Sequence, residues 1–107
     1  VRWLAVGFSI STKGYIGTGR MGVSGAFAND FWEYDPTTDS WIQKANFSGP
    51  ARWGATGFSI GSKGYLGTGD DNFTTYFNDF WEYDPSANSW VQKTNLRWSG
   101  PGVSEPF

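Results

Sequence analysis

Cysteine and histidine are both absent from the 107 residues of the chain. Without cysteine there is no disulfide staple, no thiolate nucleophile and no Cys-ligated metal. Without histidine the commonest metal ligand and the commonest general base are gone as well. No apolar run approaches the roughly 20 residues that a membrane-spanning helix requires. The formal net charge is only −2, which gives no field to attract nucleic acid or an anionic membrane surface. There is no signal-peptide pattern, and the chain opens on Val1 rather than Met, as a mature product or an excised piece would. No cofactor is expected.

Aromatic residues and glycine are abundant instead. Seven Trp, five Tyr and nine Phe make up 20% of the chain, so any core must be built largely from packed rings. Fifteen glycines without a three-residue period exclude a collagen-like helix and point to many turns. These residues recur in order. Arg2-Trp3 returns as Arg52-Trp53, Gly7-Phe8-Ser9-Ile10 as Gly57-Phe58-Ser59-Ile60, and Lys13-Gly14-Tyr15 as Lys63-Gly64-Tyr65. Gly17-Thr18-Gly19 returns as Gly67-Thr68-Gly69. The register then slips by one residue, and Asn29-Asp30-Phe31-Trp32-Glu33-Tyr34-Asp35-Pro36 returns as Asn78-Asp79-Phe80-Trp81-Glu82-Tyr83-Asp84-Pro85. Ser40-Trp41 and Gln43-Lys44 follow as Ser89-Trp90 and Gln92-Lys93. The slip marks the intervening segment as a loop.

Each copy reads as four short antiparallel strands, with no helical periodicity anywhere. The expected strands of the first copy are Ala5 to Ile10, Tyr15 to Thr18, Asp30 to Tyr34, and Trp41 to about Ala45. Ser11-Thr12-Lys13-Gly14, and Gly61-Ser62-Lys63-Gly64 in the second copy, are expected to be hairpin turns with glycine available for a positive φ. Asp35-Pro36-Thr37-Thr38-Asp39 carries turn chemistry. The expected division is residues 1–49, residues 50–96 and a tail at 97–107.

A Lys-Gly-Tyr strand closing on Gly-Thr-Gly, then Asn-Asp-Phe-Trp-Glu-Tyr-Asp-Pro, then a Trp opening the last strand, resembles the kelch repeat. The resemblance runs from Val1 to about Asn95, with Gly-Thr-Gly standing where that repeat usually has two adjacent glycines. It implies an all-β fold in which each repeat is one four-stranded blade of a β-propeller, first strand innermost and fourth outermost. A length of about 50 residues per copy suits that reading. The resemblance also implies a protein-interaction platform with specificity in its loops. Some kelch-type propellers are copper oxidases or sugar isomerases, but the oxidases rely on histidine and a modified cysteine, so no enzyme is expected here.

Propellers close with about 4 to 8 blades, and an array of such repeats usually needs at least three units to be stable. Two blades would leave two aromatic-rich faces wet, a surface fit for interaction. Either further blades of a longer chain cover them, or the chain associates with itself. Such a contact is head-to-tail, closing as a ring or running on as a filament, and a trimer with six blades is the favoured ring.

Trp32, Tyr34, Trp41, Trp81, Tyr83 and Trp90 are expected to pack between blades rather than to stack on sugars. Glu33 and Glu82 are expected to form ion pairs with Arg2 and Arg52, because an unpaired buried charge costs several kcal/mol. Asn29, Asp30, Asn78 and Asp79 are expected to cap the turn into the third strand. The loops at 20–28 and 70–77 differ most between copies. They make Arg20, Met21, Asp70, Asp71, Asn72 and Tyr76 candidate partner or ligand residues, joined by Trp3 and Trp53, which are expected to sit in connections. Asp70, Asp71, Asn72 and Asp79 are oxygen-rich, yet their spacing is not that of a calcium loop, and no metal is expected. Asn46 and Asn72 open glycosylation triplets. The function expected is protein interaction or self-assembly, with a secreted glycan-binding propeller as the alternative. The location expected is secreted or cell-surface.

Overall fold

The computed structural model describes residues 1–71 and 75–96. The expectations for Asn72 and for the tail at 97–107 lie outside the described residues.

Ten strands form in chain order: β1 (Arg2–Trp3), β2 (Val6–Ile10), β3 (Lys13–Gly17), β4 (Arg20–Met21), β5 (Phe31–Asp35), β6 (Ser40–Lys44), β7 (Thr56–Ile60), β8 (Lys63–Gly67), β9 (Phe80–Asp84) and β10 (Ser89–Lys93). Strands β2-β3-β5-β6 make one four-stranded antiparallel sheet and β7-β8-β9-β10 make a second in the same order. The two registers match pair for pair, Phe8 opposite Tyr15 and Tyr15 opposite Glu33, then Phe58 opposite Tyr65 and Tyr65 opposite Glu82. No helix occurs among the described residues, so none there is long and apolar enough to cross a membrane.

Three expectations are corrected. The second strand of each sheet starts two residues earlier than the glycine signal suggested. Ile10 pairs with Lys13, so the turn is only Ser11-Thr12; the positive φ falls on Ser11 (54°) rather than on Gly14 in the first copy, and on Gly61 (59°), a glycine of the expected turn, in the second. Gly14 and Gly64 are therefore strand residues, and their value lies in having no side chain. Second, Arg2-Trp3 is not mere connection: β1 pairs with β4 as a small ladder, Arg2 opposite Met21 and Trp3 opposite Arg20. Part of the 20–28 loop is thereby ordered strand. Third, Asp30 and Asp79 serve as ion-pair partners rather than turn caps, as described below.

Alternation along each strand sorts the side chains onto two faces. In the N-terminal sheet one face carries Val6, Phe8, Ile10, Tyr15 and Phe31, and the other carries Gly7, Gly14, Trp32, Tyr34 and Trp41. The first face packs against the C-terminal sheet, which meets it with Gly57, Gly64, Leu66, Tyr83 and Trp90. Tyr83 and Trp90 stand edge-on to Phe31, at centroid separations of 4.7 and 4.8 Å. Trp90 also meets Phe47 at 5.2 Å. Full burial of a large apolar side chain contributes about 1.5–3 kcal/mol, and an aromatic pair adds about 0.5–1.5 kcal/mol beyond that. This joint is the core of the molecule.

Candidate functional site

Each copy contains one arginine clamp. Arg2 donates from both terminal nitrogens to the carboxylate of Asp30 (2.6 and 2.7 Å) and to the Thr18 carbonyl (2.8 Å), and the Trp32 indole N–H donates to Asp30 (2.8 Å). Arg52 repeats this with Asp79, the Thr68 carbonyl and Trp81. The planar guanidinium fork fits a carboxylate in this two-pronged manner, which lysine cannot do. Arg52 is wholly buried, with its guanidinium over the rings of Phe47 (4.9 Å) and Phe77 (4.1 Å).

The expected pairing of arginine with Glu33 and Glu82 is therefore corrected. The aspartates precede β5 and β9 at the end of the sheet where the arginines lie. The glutamates stand further along those strands, opposite tyrosines, and accept from Tyr15 (2.7 Å) and Tyr65 (2.8 Å). Lys44 Nζ lies 3.9 Å from Glu33. The arginine clamp holds the Asp30 carboxyl below the usual carboxylate range. At Asp79 burial pushes upward, but Arg52 and the Trp81 N–H prevail and the net shift is also downward. Burial pushes the Tyr15 phenol well up, assisted by Glu33, and pushes Tyr83 up to about 12.

The six third- and fourth-strand aromatics divide by copy. Trp81, Tyr83 and Trp90 lie on the sheet face that meets the N-terminal sheet, Trp81 against Phe47 at 5.5 Å. Trp32, Tyr34 and Trp41 lie on the opposite, open face of the N-terminal sheet, where Trp41 is 49% exposed. The C-terminal sheet has an open face as well, bearing Phe58, Ile60, Tyr65 and Phe80. There Phe58 is 40% and Ile60 64% exposed. A groove of about 480 Å³ runs along that face, lined by Thr56, Phe58, Phe80, Thr94 and Leu96. Both surfaces are apolar and aromatic, suited to packing against a matching surface rather than to acid–base chemistry.

The loop candidates gather at the β1–β4 end. Trp3, Arg20 and Met21 surround a recess of about 150 Å³ with Gly22 and Gly25. The Arg20 guanidinium sits between Phe27 and Trp53, 5.7 and 5.6 Å from their centroids. Trp53 donates its indole N–H to Asp70 (2.8 Å), and Asp71 accepts from the Thr75 N–H (3.0 Å). Tyr76 is largely exposed and bridges Asp70 in the backbone. The described residues include no group of three acids placed to hold a metal. Asn46 is exposed, while Phe47 within the same triplet is buried.

Sequence reasoning missed Asn88. Its side-chain oxygen accepts from the Ala45 N–H (2.9 Å) in the other sheet and from the Tyr83 hydroxyl (2.8 Å). Its left-handed backbone in a turn, at φ 49°, favours asparagine, and that is the one signal that marks it. No protein-family model matches the chain, and no curated protein matches it.

Proposed function

We propose that the chain is a non-enzymatic kelch-type β-propeller module, each four-stranded sheet a blade, that works by protein–protein association through its open faces. The observation that carries this reading is the pair of uncovered aromatic faces on either side of an already formed sheet-to-sheet joint. A two-blade unit with unlike open faces associates head-to-tail, as a closed ring or a filament. Three chains give a six-bladed ring, the arrangement proposed here, and further blades of a longer chain would satisfy the same faces. The Asn-, Thr-, Gly- and aromatic-rich composition without cysteine suits a secreted or cell-surface setting. Light scattering on the eluting protein tests the reading: a mass three times 11.9 kDa is expected. A monomer with full cooperative stability at high concentration would contradict it.

A glycan-binding role draws on the exposed rings of Trp3 and Tyr76, 54% and 76% accessible. Binding to a glycan array that disappears in Trp3→Ala or Tyr76→Ala, with the mass unchanged, would favour that alternative.

A further inference from the structure

We infer that the two open faces are the two halves of one joint, and that each is filled by a second copy of this chain docked as the C-terminal sheet docks on the N-terminal one. The inference rests on the assembly reading above and specifies which residues mate.

The internal joint supplies the template. Counterparts lie 50 residues apart up to Gly69 (Arg2 and Arg52) and 49 apart beyond it (Phe31 and Phe80). Trp90 sits in a seat made by Phe31 and Phe47 and donates its indole N–H to the Ala45 carbonyl at 3.1 Å. The counterparts of Phe31, Ala45 and Phe47 are Phe80, Thr94 and Leu96, and these line the open groove. The groove thus matches the tryptophan seat residue for residue, and no tryptophan among the described residues occupies it. The counterpart of Trp90 is Trp41, on the far face and half exposed. Among the described residues, one chain therefore carries a plug and a socket on opposite sides with neither filled.

The polar contacts correspond too. Asn88 receives the Tyr83 hydroxyl and reaches across the joint to the Ala45 N–H. Its counterpart Asp39 has the same left-handed backbone (φ 51° against 49°) and receives the Tyr34 hydroxyl at 2.8 Å. A carboxylate oxygen accepts more than one hydrogen bond, so Asp39 has the chemistry to take the Thr94 N–H of a second copy.

The glycines supply an independent observation. A Cβ on Gly57 would overlap a Val6 methyl, and one on Gly64 would overlap the Phe8 ring, so the internal joint requires both glycines. Their counterparts Gly7 and Gly14 face no such neighbour. The nearest atoms to a Cβ are 3.4 Å away at Gly7 and 4.0 Å away at Gly14, ordinary contact distances. Neither has the positive φ that would itself demand glycine. A half-exposed strand position ordinarily holds a β-branched or aromatic residue. Bare backbone at Gly7 and Gly14 has a use if Phe58 of a second copy lies over them as Phe8 lies over Gly57 and Gly64.

The experiment measures sedimentation equilibrium of the 107-residue chain and three variants, with near-ultraviolet circular dichroism to follow the tertiary fold. Wild type is expected to self-associate. Trp41→Ala, by loss of a central interface anchor, and Gly14→Ala, by overlap of the new methyl with the incoming Phe58 ring, are each expected to weaken association about 30-fold or more while keeping the wild-type spectrum of the buried joint. Thr56→Lys, at an exposed position of the socket, is expected to act likewise. Mixing Trp41→Ala with Thr56→Lys should then restore one 1:1 pair, because each supplies the half the other lacks. Association of wild type that both Trp41→Ala and Gly14→Ala leave intact would overturn this joint while leaving the assembly reading standing. Wild type that stays monomeric would overturn both. Should Gly14→Ala fail to fold, Trp41→Ala and the mixing experiment decide the matter.

Discussion

Leu66 and Ile16 occupy the same place in the two sheets, yet Leu66 is fully buried and Ile16 is 41% exposed. Arg52 and Arg2 form the same clamp, but Arg52 is sealed beneath Phe47 and Phe77 while the Arg2 side chain keeps 20% of its surface in water. The two sheets have the same strand order and matching registers. What separates them at Leu66 is the neighbouring sheet, and at Arg52 it is Phe47 of the other repeat together with Phe77 of its own, which stands where the first repeat has Ala28. Burial in this molecule is a property of the joint between units, and each unit carries both halves of it. The open faces therefore follow from the same alternation and the same glycine placement that made the closed joint.

The comparison can be broken by mutating the two members of each pair and measuring urea unfolding in dilute solution, where association adds little stability by mass action. The largest contrast is expected at the arginines. Arg52→Met leaves the Asp79 carboxylate in the interior without its partner, costing about 3–5 kcal/mol, whereas Arg2→Met leaves Asp30 better hydrated and costs less. Next come the tryptophans. Trp90→Ala should cost about 3–5 kcal/mol, as large-to-small changes in a core do, and Trp41→Ala under about 1 kcal/mol, as surface changes do. Equal losses at Trp41 and Trp90 would dissolve the distinction between a seated and an unseated tryptophan.

Glycine gives a smaller contrast. Gly64→Ala overpacks against Phe8 and should cost about 1–3 kcal/mol, while Gly14→Ala should change stability by about 0.5 kcal/mol or less. The smallest effect is that of acid. Asp30 and Asp79 both have lowered folded values. Their contribution is complete above the ordinary aspartate value near 4, and it is lost as pH falls through the lowered folded values. Unfolding free energy should thus be level from about pH 7 to 5 and decline below about 4. A decline that Asp79→Asn does not flatten would place the acid sensitivity elsewhere.

Much of the architecture was legible in the chain. Alternation of Phe31 and Glu33 with Trp32 and Tyr34, repeated exactly once, specifies a half-buried strand in each copy, and the one-residue slip locates the variable loop. The arginine partners were not legible, because Asp30 and Glu33 are close in sequence and only the cross-strand register of Tyr15 with Glu33 removes the glutamate from contention. The role of Gly14 was misread for a related reason. A glycine after a short polar stretch fits a turn as well as it fits a strand that must accept a ring on its face. Which copy of each aromatic would be buried could not be read from two identical motifs, since that depends on the neighbour each face meets.

The central claim is that Trp41 and the Thr56–Phe58–Phe80–Leu96 groove are complementary. The most direct measurement is the molecular mass of an equimolar mixture of Trp41→Ala and Thr56→Lys by sedimentation equilibrium. The account predicts two monomeric variants that combine into a single dimer on mixing. Variants that each assemble as wild type does, or that remain monomeric when mixed, would contradict it.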